Sequence, residues 1–227
     1  MRHPNMSIIL KGVHQTLGDP PNHILKNINL EIKNGEFIAL TGRSGSGKST
    51  LLYIMSSLDK ASKGEISIDG NNLDQLSKEQ LHRFRNENMG FVFQFHYLLP
   101  ELTALDNILM PARKYHSVSE FRNSALELLE TFGLINHAHR LPRHLSGGEQ
   151  QRVAIARSLI MQPKYLFADE PTGNLDSQNG QIVMDIFRSI NQNNKTTIVY
   201  VTHDPGFAAL AQRQIQLKDG EIMGGLS

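Results

Sequence analysis

Between Ile24 and Lys33 the apolar residues Ile28, Leu30 and Ile32 alternate with Asn29, Glu31 and Lys33. A period of two is that of a strand with one face in a core and the other in water. Ser7 to Lys11 reads as a strand of the same kind, separated from it by the loop Gly18-Asp19-Pro20-Pro21-Asn22. Glu65-Ile66-Ser67-Ile68 repeats the alternation and closes on an Asp69-Gly70 turn. These segments predict an antiparallel β region. Elsewhere the alternation gives way to short continuous apolar runs: Phe37 to Leu40, Gly90 to Phe93, Tyr165 to Ala168 and Thr196 to Val201. Runs of that length, each bounded by turn residues, predict strands buried on both faces. Asn34-Gly35 turns the chain into the first of them.

Helical spacing fills the intervals. Ser77 with Gln80 predicts a capped polar helix to about Asn88, and Gln178 to Ile190 predicts another. Ala104 to Ala112, Ser119 to Phe132 and Glu149 to Met161 have the same spacing, with Pro100, Pro111 and Pro142 near their boundaries. In the last of these, Val153, Ile155, Ala156, Leu159 and Ile160 mark an apolar face. Residues 95–162 contain no strand pattern and read as a helical insertion. A final hairpin, Gln214 to Met223, turns at Asp219-Gly220. Strands alternating with helices predict an α/β fold with a mostly parallel sheet. The expected organisation is one domain over residues 1–227. Its core spans about 1–94 and 163–227, and a helical subdomain spans about 95–162.

Composition narrows the classes only slightly. The chain has 227 residues, 39% hydrophobic and 20% charged, and a formal net charge of +1. That balance gives no nucleic-acid footprint, so no direct nucleic-acid partner is expected. No apolar window approaches a bilayer span, the start lacks the apolar stretch of a signal peptide, and there are no cysteines. A cytosolic protein that meets a membrane only through a partner is the expectation.

The candidate chemistry starts at Gly42-Arg43-Ser44-Gly45-Ser46-Gly47-Lys48-Ser49-Thr50, between the strand at Phe37 to Leu40 and helix-like Leu51 to Met55. Strand, glycine-rich turn, helix is the context that the pattern G-x-x-x-x-G-K-[ST] needs to mean a phosphate loop. The glycines let successive N–H groups point at a polyphosphate, and the helix adds its positive end. Lys48 offers a charge to the outer phosphates, and Ser49 a hydroxyl to Mg²⁺. The plainer alternative is a Gly/Ser-rich surface turn. A P-loop NTPase core is therefore expected, with kinases, GTPases and ATPases all still open.

Two more stretches bear on the reaction. Tyr165-Leu166-Phe167-Ala168-Asp169-Glu170-Pro171 is an apolar strand ending in two carboxylates. Asp169 there can hold the hydration shell of Mg²⁺, and Glu170 can face an attacking water as general base. An acidic strand end beside a proline turn would look the same. Leu145-Ser146-Gly147-Gly148-Glu149-Gln150-Gln151-Arg152 leads directly into a helix, which makes either a second anion site or plain capping chemistry. A second phosphate site on one chain makes sense if it serves the nucleotide of another copy.

Taken in order, Gly42 to Thr50, Gln94, Leu145 to Arg152, Tyr165 to Glu170, Gly173-Asn174-Leu175-Asp176 and His203 resemble an ABC-transporter nucleotide-binding subunit over essentially the whole chain. Gly90 to Pro100 and Ala168 to Asp176 are most similar to the lipoprotein-releasing ATPases, with macrolide-exporter and cell-division ATPases as close relatives. The resemblance implies an ATPase that binds ATP and Mg²⁺ and works as a head-to-tail dimer. It would serve integral-membrane transporter subunits at the cytoplasmic face of the bacterial inner membrane. It implies roles for Lys48 and Glu170 in hydrolysis. Ser49, Gln94 and Asp169 would face the metal, with Gln94 also coupling to the membrane subunit. His203 would contact the γ-phosphate and position Glu170. Ser146, Gly147, Gly148 and Glu149 would contact the nucleotide of the other copy, and Asp176 would communicate across the dimer.

The chain departs from this family where an aromatic residue usually stacks on adenine. Leu17 falls there, with His14 nearby. An aliphatic contact lacks the ring face, a loss on the order of 1 kcal/mol; Leu17 would equally serve as a loop anchor. Two other readings compete: a cell-division-type ATPase regulating a cell-wall enzyme, and a soluble ABC ATPase acting on nucleic acid or ribosomes. The second usually carries a long coiled-coil insertion or two cassettes, and neither is present here.

Overall fold

In the computed structural model, which describes residues 7–226, β1 (Ser7–Leu17) and β2 (Asn22–Lys33) pair antiparallel. β3 (Phe37–Thr41) leads through the glycine-rich turn into α1 (Lys48–Met55). β4 (Lys63–Ile68), β5 (Asn71–Asn72), α2 (Lys78–Asn88) and β6 (Met89–Phe93) follow. α3 (Ala104–Leu109), α4 (Val118–Thr131) and α5 (Gly147–Leu159) come next, with short 3-10 turns and no strand among them. β7 (Tyr165–Asp169), α6 (Ser177–Asn194), β8 (Thr197–Val201), the one-turn α7 (Pro205–Ala208), β9 (Arg213–Lys218) and β10 (Glu221–Leu226) complete the chain.

The strands form two sheets. One has four strands in the order β2-β1-β4-β5, all antiparallel neighbours. The other has six in the order β10-β9-β3-β8-β7-β6, parallel except at the β9–β10 hairpin. The parallel strands are buried on both faces, and alternate residues serve two different cores. Ile38, Leu40, Tyr165, Phe167, Val199 and Val201 pack with α1 and the inner face of the four-stranded sheet. Phe37, Ala39, Leu166, Ala168, Ile198 and Tyr200 pack on the other face, against residues of α3 to α6. This is why continuous apolar runs mark these strands.

Several boundaries move. β1 continues six residues past Lys11, to Leu17, through a register shift at Gly12, whose φ is 55°. The irregularity and the polar residues beyond it erase the alternation. The helix expected over Ala104 to Ala112 ends at Leu109 and tightens into a 3-10 turn, Met110–Lys114, because Pro111 has no N–H to donate. α6 runs on to Asn194 and stops where Lys195 adopts φ 57°. The cap expected on α2 is a full capping box of Ser77 and Gln80.

Register places the functional ends together. Asp169 lies opposite both Phe93 and Val201, and Val201 lies opposite Leu40. The carboxyl ends of β3, β6, β7 and β8 therefore finish level, the edge where open α/β sheets bind ligands.

Candidate nucleotide site

The loop after β3 closes tightly. Gly42 has φ 139°, and a Cβ there would strike the carbonyl of Leu217 on β9. Gly47, at φ 97°, lies against Ile24 and Leu25 of β2, where a Cβ would come within 2.8 Å of Leu25. Both positions exclude side chains, so the backbone itself forms the cradle. Lys48 is 9% exposed and spans the turn, its Nζ donating to the carbonyls of Gly42 and Arg43 at 3.0 Å each. Its ammonium is thus already held at the mouth of the loop.

Asp169, at the end of β7, accepts a hydrogen bond from Ser49 Oγ on Oδ1 at 2.9 Å and one from Tyr53 on Oδ2 at 2.6 Å. Burial, reinforced by the hydrogen bond to Asp169 and its charge, pushes the Tyr53 phenol far above its ordinary range, so it remains a donor. Glu170, the next residue, has φ 48°, and its amide donates to Val201 O at 3.2 Å. This non-glycine residue in the left-handed region turns the second carboxylate away from the first, toward His203. His203 Nδ1 lies 2.7 Å from Glu170 Oε2. The imidazole is 72% exposed and the Glu170 side chain 20%.

Gln94, just past β6, is held by Asn174: its Nε2 donates to Asn174 Oδ1 at 3.1 Å, and Asn174 Nδ2 donates to its backbone carbonyl at 3.0 Å. A Cβ on Gly173 would lie 2.9 Å from Gln94 Nε2, so the glycine makes room for this amide. Beyond Gln94, the backbone at His96 and Tyr97 has φ 48° and 47°, and Arg157 donates to both carbonyls at 2.7 and 2.6 Å.

Ser146 caps α5 in a capping box with Glu149: the Ser146 amide donates to Glu149 Oε2 at 2.7 Å, and the Glu149 amide to Ser146 Oγ at 3.3 Å. Hydrogen bonding from the Ser146 backbone holds Glu149 below its ordinary range, helped by the Ser146 hydroxyl, His137 and Arg152. Gly148 lies against the Asn179 side chain, with no room for a Cβ. Asp176 caps α6, accepting from the Asn179 amide and side chain at 2.8 Å each, which lowers its pKa. Among the described residues, Ser146 and Gly147 make no hydrogen bond to Lys48, Ser49, Asp169, Glu170 or His203. Leu17 ends β1 opposite Asn22 and is 50% exposed, while His14 accepts from the Asn27 amide at 3.4 Å.

Sequence reasoning gave no individual role to Tyr53, Arg157, Asn174 or Gln151, although the last two lie in stretches it singled out. The last is fully buried, donating to Pro171 O at 2.6 Å and so tying α5 to the turn after Glu170. Tyr53 carried one available signal: it follows Ser49 by four residues and so shares its face of α1. Ser49, Asp169 and Gln94 present oxygen donors of the hard type that suits Mg²⁺, and these residues fit that ion.

The family model described as ABC transporter matches residues 25–173. The chain is 51% identical over 223 residues to the lipoprotein-releasing system ATP-binding protein LolD of Leptospira interrogans, covering 98% of this chain and 93% of that protein. It is 50% identical over 205 residues to LolD of Aquifex aeolicus, covering 90% and 91%. It also resembles the ATP-binding cassette MJ0796, solved as a dimer in a post-hydrolysis state bound to ADP and Pi. The TM-score is 0.88 at 43% identity, covering 97% of this chain and 98% of that one.

Proposed function

This chain belongs to the ABC transporter family, and from that premise we propose that it hydrolyses ATP to power a membrane transporter that releases lipoproteins. The observation that carries the chemistry is the level ending of β3, β6, β7 and β8. It sets Ser49 on Asp169 and His203 on Glu170 at one edge of the sheet. The lipoprotein assignment comes from the similarity to the LolD proteins.

Lys48 and the loop amides receive the phosphates, and the N-terminal end of α1 favours their charge. Ser49, Asp169 and Gln94 would hold Mg²⁺, which when bound would supply charge neutralisation at the outer phosphates. Glu170 takes the proton of the attacking water, and His203 fixes the carboxylate toward it. Ser146 to Gly148 completes the site of a second copy, so two nucleotides lie between two head-to-tail chains. That MJ0796 was solved as a dimer supports the association of two copies. ATP favours the closed dimer and hydrolysis releases it, which converts chemistry into motion.

Phe95, Tyr97 and Leu99 are exposed beside Gln94 and form the surface offered to integral-membrane partners at the cytoplasmic face of the inner membrane. Among the described residues no helix is long and apolar enough to cross a membrane. The residue ranges 1–94 and 163–227 act as the nucleotide-binding core and 95–162 as the arm that presents Ser146.

The test is reconstitution with the membrane partners in proteoliposomes carrying a radiolabelled lipoprotein. ATP should release the label to a soluble acceptor. Hydrolysis without release, accompanied by activation of a cell-wall hydrolase, would favour the cell-division reading.

A further inference from the structure

One helix face clamps both oxygens of one carboxylate. Ser49 and Tyr53 are four residues apart on α1 and therefore stack on the same side of it. Ser49 Oγ donates to Asp169 Oδ1 at 2.9 Å, and Tyr53 donates to Oδ2 at 2.6 Å. The Tyr53 ring is half-buried and leans on Phe93, with centroids 6.5 Å apart and planes at 58°. Phe93 is the residue before Gln94 and stacks on Phe91, which stacks on Phe167 in the adjacent strand. The phenol is thus anchored through its ring and aimed through its hydroxyl.

The two hydroxyls have different futures. Ser49 can offer a lone pair to the metal while its proton stays directed at Asp169, so it serves both groups, whereas Tyr53 serves the carboxylate alone. Tyr53 touches Oδ2 and leaves the lone pairs of Oδ1 free, so it can keep the carboxylate in place throughout. A carboxylate that is hydrogen-bonded behind its metal-facing oxygen loses less orientational freedom on binding, and such partners typically alter metal affinity by about 10–100-fold. A neutral donor also draws some charge from the carboxylate, an effect opposite in sign to the orientation it provides.

We propose that Tyr53 is a positioning residue that acts through Asp169, holding its carboxylate ready for the Mg²⁺ that accompanies ATP. The inference rests on the reading of Asp169 as a metal-facing group. It assigns Tyr53 a part in metal affinity, not in proton transfer.

The experiment measures Mn²⁺ binding by electron paramagnetic resonance, with ADP present, in wild type, Tyr53→Phe and Asp169→Asn. Thermal unfolding and metal-free ADP affinity in EDTA are read on the same proteins. Tyr53→Phe keeps the ring on Phe93 and removes only the donor. The expected result is Mn²⁺ affinity reduced by about 10-fold, with metal-free ADP affinity and the unfolding midpoint unchanged and Asp169→Asn weaker still. Unchanged Mn²⁺ affinity in Tyr53→Phe beside a loss in Asp169→Asn would overturn the role of Tyr53 and leave that of Asp169 standing. Unchanged affinity in both variants would overturn the Asp169 reading and this inference with it. A fall in metal-free ADP affinity or unfolding midpoint in Tyr53→Phe, matching the Mn²⁺ loss, would make the tyrosine a general structural support and overturn the positioning role.

Discussion

His203 Nδ1 lies 2.7 Å from Oε2 of Glu170, joining the residue after one parallel strand to a residue just beyond its neighbour. The contact exists because Glu170 adopts φ 48°, which turns its side chain across the sheet end instead of leaving it beside Asp169. Two adjacent carboxylates are thereby separated in function, one toward hydroxyls and the other toward an imidazole.

Glu170→Gln should keep ATP binding and lose hydrolysis by about 10²–10⁴-fold, the usual worth of a general base. The amide has the same shape but cannot take the proton. Phosphate release and size-exclusion chromatography with ATP test this, the variant accumulating as a dimer. Turnover at the wild-type rate would remove Glu170 from the proton-transfer role.

Ser146 is expected to act on the nucleotide of the other copy. Lys48→Ala and Ser146→Arg proteins each carry only damaged sites as homodimers. Mixed, they should form one interface with both elements intact and regain ATP-dependent dimerisation. A cross-link between cysteines placed near residues 44 and 147 on different chains checks the geometry directly; cross-linking within one chain alone would contradict it.

Leu17→Tyr should supply the ring face that the family usually presents to adenine. ATP should then bind several-fold more tightly, in line with roughly 1 kcal/mol for an added aromatic contact. Inorganic triphosphate should bind as before, since Lys48 and the loop amides are untouched. Titrating both ligands against both proteins decides the matter. Equal ATP affinities would move adenine recognition to another residue, His14 first.

Glu149 gives a pH prediction. Its folded-state pKa is depressed, first by the Ser146 amide, so its contribution is present above the ordinary carboxylate range and fades as pH falls through the depressed value. Glu149→Gln should lower the unfolding midpoint near neutrality and flatten the decline below the ordinary carboxylate range. Thermal unfolding from pH 7 to 3 measures both, and parallel curves for the two proteins would contradict the capping argument.

Much was readable from the chain alone because the signals are local. Ile28, Leu30 and Ile32 alternate since one face of their strand is buried, and Phe37 to Leu40 run on since both faces are. Gly42 to Ser49 declares itself by spacing, and the Ser77–Gln80 box by residue type three positions apart. Contacts between distant segments carry no such mark. The pairing of Tyr53 with Asp169, Gln94 with Asn174 and Gln151 with the carbonyl of Pro171 spans 116, 80 and 20 residues. Those pairings depend on which strands become neighbours, and on their register. In the order β10-β9-β3-β8-β7-β6, β3 lies between β8 and β9, strands from the far end of the chain. The residue pattern therefore determined the kinds of element and the chemical groups they carry. The packing of both sheet faces decided which strands lie side by side, and so which hydroxyl, amide or imidazole meets each carboxylate.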